Sequence, residues 1–177
     1  MVRLLLSIAA MALCLISCRS ESKPIENTNA SEIQIDSIVK FITLDFEMDG
    51  RPSKAVINLK YKNFGNKKAF PLSLFITINT VDKDSIGFPT NKEDTLFHQL
   101  EDEILAKLTP SGNYCYVGTT TIYGYRDILF FIKPKDKIKS EKILKTIQKK
   151  NSRIQSITFD NDPEWESVAE FYEAIKI

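Results

Sequence analysis

The chain has 177 residues, 43% hydrophobic and 27% charged, with a net charge of +1. This is the composition of one globular domain with its own core. The charge is too balanced for a general nucleic-acid binder, whose affinity rests on neutralising phosphates.

The chain opens with Arg3, an almost unbroken apolar run over residues 4–15, and Leu15-Ile16-Ser17-Cys18. A short positive region before an apolar run of this length is the layout of a secretory signal, too short for a comfortable membrane span. Leu15-Ile16-Ser17-Cys18 resembles the lipobox of bacterial lipoproteins. The resemblance implies cleavage before Cys18, a diacylglycerol on its thiol, and a further acyl chain such as palmitate on the new amino group. Each buried methylene contributes about 0.8 kcal/mol, so two or more chains anchor stably where one is marginal. Residues 1–17 are therefore expected to be a lipoprotein signal peptide. The mature chain is expected to be held on a membrane of the cell envelope, at the outer membrane or the periplasmic face, without spanning it. Cys14 leaves with the signal and Cys18 carries lipid, so Cys115 has no partner for an intramolecular disulfide. Set in an apolar strand between Tyr114 and Tyr116, Cys115 reads as a small buried hydrophobe rather than a nucleophile.

Residues 18–36 are polar and read as a flexible tether; residues 37–177 read as a single α+β domain. Val39 to Met48 predicts a strand with Ile42, Leu44 and Phe46 on one face. Asp49-Gly50 is a hairpin turn signal, and Lys54 to Lys62 alternates, with Ala55, Ile57, Leu59 and Tyr61 on one side. Leu72, Leu74, Ile76 and Ile78 alternate again, with Phe75 on the other side. Thr90-Asn91-Lys92-Glu93 has the form of a reciprocal capping box. It opens a helix over 91–108 that buries Leu96, Phe97, Leu100, Ile104, Leu105 and Leu108. Two runs rich in aromatic and β-branched residues, within 113–133, meet at Ile122-Tyr123-Gly124 in a second hairpin. Asp136 is expected to cap a helix to about Lys150 with Ile138, Ile143, Leu144 and Ile147 inward. A strand over 153–159 follows. Asp162-Pro163-Glu164 then opens a last helix with Trp165, Val168, Tyr172 and Ile175 on one stripe. From Leu72 the order is β-α-β-β-α-β. The expected fold is thus a two-layer ferredoxin-like core, its helices on one face of an antiparallel sheet, with an N-terminal β-hairpin and an extra C-terminal helix.

The residues that carry chemistry are sparse. His98 is the sole histidine, with Glu101 and Asp102 one turn on, a pattern that a solvated helix face also produces, so no metal site is assigned. Asp45, Glu47 and Asp49 share a face that solvation explains equally well. The lysines between 137 and 150 read as the wet side of an amphipathic helix, or as a face toward acidic headgroups. Gly118 and Gly124 precede no helix in a nucleotide-binding pattern, and no cofactor is implied. Aromatics crowd the second hairpin. If helices cover one sheet face, Tyr116 and Tyr125, with Arg126 as an adjacent polar anchor, are the candidates for a binding surface toward a protein or small-ligand partner. The reading is a lipid-anchored, non-enzymatic binding or protein-interaction module. The alternative is an envelope hydrolase or other enzyme using acidic residues and Arg126, for which nothing pairs a base with a nucleophile.

Several short motifs follow one another along the chain: Asp49-Gly50-Arg51-Pro52, Gly87-Phe88-Pro89, Glu101-Asp102, Tyr116-Val117-Gly118, Gly124-Tyr125-Arg126, Phe130-Phe131 and Asp162-Pro163-Glu164-Trp165. Together, from about Phe41 to Tyr172, they resemble the bacterial family catalogued as domain of unknown function 695. That resemblance implies one domain and no particular activity.

Overall fold

Asp49 and Gly50 have positive φ, 53° and 71°, as the two central residues of a type I′ turn must. They join β1 (Phe41–Met48) to β2 (Arg51–Asn58) in continuous register, from Phe41 opposite Asn58 to Met48 opposite Arg51. The structure is a computed structural model that describes residues 41–111 and 113–176. The expected signal peptide, Cys18, the expected tether and the strand start at Val39 lie outside the described residues. β2 ends earlier than its alternation predicts, because the Asn58 side chain accepts from the Lys60 amide (3.1 Å) and starts a 3-10 turn over Leu59–Tyr61. Tyr61 nevertheless reaches the same core as Ala55 and Ile57.

The remaining elements are β3 (Leu72–Asn79), α1 (Asn91–Leu108), β4 (Tyr114–Ile122), β5 (Tyr125–Ile132), α2 (Lys137–Lys150), β6 (Ile154–Asn161) and α3 (Glu166–Ala174). The six strands form one antiparallel sheet in the order β1-β2-β4-β5-β3-β6. Alternation along β3 and β5 divides the apolar residues between two cores. Leu74, Ile76, Ile78, Ile128, Phe130 and Ile132 pack with Phe97, Leu100, Ile104 and Leu108 of α1 and Leu144 and Ile147 of α2. On the other face, Ala55, Ile57, Cys115, Val117, Leu129 and Phe131 pack with Trp165, Val168, Tyr172 and Ile175. The two-layer expectation, with all helices on one face, is thereby corrected. α1 and α2 already fill the first face, and the apolar stripe of α3 finds its partner surface on the second.

Three helix details also depart from the sequence pattern. At α1 the Thr90 hydroxyl caps the Glu93 amide (3.4 Å), but Glu93 does not reciprocate. Its carboxylate, 1% exposed, accepts from the Val81 amide (2.9 Å) and pairs with Arg153, while the Thr90 amide donates to the Asp82 carbonyl. At α2 Ile138 points outward and Ser140 takes a fully buried position. The Ser140 hydroxyl donates to the Asp136 carbonyl (2.6 Å) and meets the Tyr114 hydroxyl (3.0 Å), so its burial leaves no polar atom unanswered. The Asp136 side chain makes no capping bond.

α3 starts later than expected, at Glu166. Asp162 still caps it, its carboxylate accepting from the amides of Glu166 (2.7 Å) and Ser167 (3.0 Å) across a turn that leaves Trp165 at φ 62°. A left-handed backbone costs a bulky residue about 1–2 kcal/mol. The indole offsets this: it is fully buried, stacks on Phe131 at 4.0 Å, and donates its N–H to the Phe70 carbonyl (3.0 Å). Among the described residues no helix is long and apolar enough to cross a membrane.

Candidate functional site

The second hairpin turns at Tyr123-Gly124, with Gly124 at φ 86°, and pairs Ile122 with Tyr125, Thr120 with Asp127 and Gly118 with Leu129. The register then shifts so that Tyr116 faces Phe130. Val117 is the extra residue of a β-bulge. Gly118 permits it: at φ 143°, a Cβ there would sit 1.9 Å from the Val56 carbonyl oxygen of β2. The bulge inverts the alternation of β4. Tyr116 crosses to the face covered by α1, whereas uninterrupted pairing would have set it beside Tyr125 on the α3 side. The sequence candidates are therefore divided, with Tyr116 and Arg126 on the α1 side and Tyr125 on the other.

On the α1 side, Arg126 is 7% exposed. Its Nη2 lies 3.2 Å from Asp94, its Nε donates to the Thr121 hydroxyl (3.2 Å), and its Cζ stands 5.2 Å from the Phe97 ring centre. Nη1 is buried without an acceptor among the described residues. The Tyr116 hydroxyl donates to Glu101, and burial followed by the Glu101 charge pushes the phenol well above its ordinary range. Exposed His98 stands between Asp94 (3.4 Å) and Glu101 (3.2 Å). Asp94, His98 and Glu101 thus occupy one flank of α1 at helical spacing and fasten it to β4 and β5. Arg126, the residue on which the enzyme reading depends, is engaged by this fastening rather than presented to a substrate. Among the described residues no group of three His, Cys, Asp or Glu side chains is placed to hold a metal. Asp45 pairs with Lys54 at 3.7 Å on an exposed surface, and Asp49 belongs to the turn.

On the α3 side, Thr120, Asp127, Thr77 and Ser156 form one cross-strand row over β4, β5, β3 and β6. The Thr77 hydroxyl donates to Asp127 (2.7 Å), and Thr120 bonds the same carboxylate. Burial raises the Asp127 carboxyl above its ordinary value, and the two hydroxyls pull it partly back. Tyr125, half-buried, stands in the next row between Ile122 and Asn79. Its phenol is raised by burial and then by Asp127 and Asp49. The α3 core is built around Cys115, Val117, Leu129 and Phe131, toward the other end of these strands. Asn79 and Thr158 remain exposed. The result is a carboxylate flanked by hydroxyls and edged by an aromatic ring, an arrangement that accepts hydrogen bonds from a ligand. Asp127 was missed in the sequence reading. The signal for it was an acid two residues from Tyr125 on the same strand face, directly before the apolar run from Ile128 to Ile132.

Other motif residues have structural work. A Cβ at Gly87 would lie 2.0 Å from the Tyr123 ring, and the Gly124 amide donates to the Gly87 carbonyl (3.3 Å). Arg51 stands 4.2 Å from the Tyr123 ring centre, so the first two motifs and the hairpin tip partly explain one another by packing. Cys115 is 4% exposed, and burial pushes its thiol up to about 11, keeping it a neutral thiol.

Residues 44–172 match the family of unknown function DUF695, and the chain belongs to that family. No curated protein and no solved structure matches the chain.

Proposed function

We propose that this chain is a lipid-anchored protein of the bacterial cell envelope whose domain is a non-enzymatic binding or protein-interaction module. The anchor rests on Leu15-Ile16-Ser17-Cys18. The observation that carries the binding role is the row of Thr120, Asp127 and Thr77 beside Tyr125, at the border of the α3 core, whose Ala55 pairs with Thr120. Removing a carboxylate from water is unfavourable unless it is well compensated, and among the described residues no ion pair compensates Asp127. A ligand bearing hydrogen-bond donors or positive charge would supply what is missing. The burial of Arg126 favours this reading over an envelope hydrolase. We further read β3 to β6 with α1 and α2 as a ferredoxin-like core, supported by their antiparallel order β6-β3-β5-β4.

Tyr125→Ala is expected to leave the melting temperature nearly unchanged and to reduce crosslinked recovery of a partner from the cell envelope. A loss of several kcal/mol in stability would make Tyr125 a core residue and remove the surface. Cys18→Ala is expected to abolish acylation, read from the mass of the N-terminal peptide and from detergent partitioning. An acyl-free wild-type N-terminus would rule out the anchor.

A further inference from the structure

α2 carries six lysines against one glutamate, in a chain whose net charge is only +1. Ile138, Lys142, Lys145 and Lys149 follow at spacings of four, three and four, so they form one stripe along the helix, and it points away from the sheet. Ile138 is 82% exposed, more than any other large hydrophobic side chain among the described residues. Glu141 pairs with Lys145 (2.6 Å). Lys142 and Lys149 make no ion pair among the described residues, so most of the stripe's charge is uncompensated. Clustered ammonium groups around a protruding apolar side chain suit a bilayer with anionic headgroups. The ammonium groups meet lipid phosphates, and the apolar chain enters the boundary between headgroups and acyl chains. A nucleic acid or an acidic peptide would satisfy the lysines but offer Ile138 much less.

We propose that the outer face of α2 docks on an anionic lipid bilayer. This rests on the lipid-anchor reading above: acylation at Cys18 would keep the domain beside a membrane, and charge complementarity then selects the side that faces it. α2 and Tyr125 lie on opposite sides of the sheet, so docking through α2 turns the Tyr125 and Asp127 surface away from the lipid.

Residues 37–177 suffice for the test, because among the described residues both cores are built from residues 42–175, and circular dichroism of this fragment checks that it is folded before flotation. Flotation with vesicles of phosphatidylcholine, alone or mixed with phosphatidylglycerol, is expected to recover the domain only on the mixed vesicles. Raising the salt, or the triple change Lys142→Glu, Lys145→Glu and Lys149→Glu, is expected to weaken that binding about tenfold or more. Ile138→Ser is expected to weaken it less and with little change in salt dependence. All four positions are solvent-facing, so circular dichroism should match wild type, and the melting temperature of the triple variant should fall only slightly with the loss of the Glu141–Lys145 pair. Equal binding to both vesicles, binding to neither, or wild-type binding by the triple variant would overturn the proposal. So would tighter capture by an acidic peptide or an oligonucleotide than by the vesicles. The domain lacks Cys18, so failure here leaves the acylation reading to its own mass measurement.

Discussion

Where α1 and α2 pack on the sheet, two buried charges meet charged partners: Glu93 meets Arg153 and the Val81 amide, and Arg126 meets Asp94 and Thr121, although its Nη1 and the Asp136 Oδ2 are buried without a partner among the described residues. Where α3 packs, nine residues of helix close one end of the face, and Asp127 at the other end is answered by hydroxyls, with no cation among the described residues. The first face holds the domain together. The second divides into a core around Trp165 and a surface that retains an imperfectly compensated carboxylate, the kind of local inconsistency that tends to mark function.

The largest effect that tests this contrast is at Trp165. Trp165→Ala is expected to lower stability by roughly 3–5 kcal/mol in chemical denaturation, the cost of emptying a large buried site. A loss of only a few tenths would mean that the α3 side has no true core. Next comes Glu93→Ala, which leaves Arg153 facing a low-dielectric site without its partner and is expected to cost about 3 kcal/mol. A near-neutral result would show that the closed face does not depend on its paired charges. Smallest, and opposite in sign, is Asp127→Asn, expected to raise stability by about 1 kcal/mol at neutral pH, since an amide keeps polar contacts without a desolvated charge. Its pH dependence follows from the raised carboxyl. The native state holds the proton more readily than the unfolded state, so wild-type stability improves as pH falls through the raised value toward the ordinary carboxylate range. The gain of the variant should therefore be greatest at neutral pH and shrink in acid. A gain that stayed constant with pH would remove the desolvated charge as its cause.

Local chemistry made several elements readable from sequence. Thr90 and the Pro110 region bracket α1 at its observed limits, and Asp49-Gly50 can hardly be anything but a turn. What escaped depended on partners distant in sequence. Ile138 looked inward because apolar periodicity cannot foresee that Ser140 will find both Asp136 and Tyr114. The side taken by α3 depended on which sheet face was vacant. Tyr116 and Tyr125 appeared to share a surface because simple alternation has no term for the bulge at Val117, of which an isolated glycine within a strand, Gly118, was the one local sign.

The left-handed backbone at Trp165 has a kinetic consequence. It forms a single strained joint between the sheet and a short terminal helix, and such a segment can open as a cooperative unit while the rest of the fold stays intact. Tyr172 of that helix and Cys115 belong to the same buried cluster, so lifting the helix loosens the packing over the thiol. In the closed state the thiol is buried and neutral. Alkylation of Cys115 is therefore expected to wait on an opening, and a rate faster than global unfolding allows would report how often the last helix leaves the sheet.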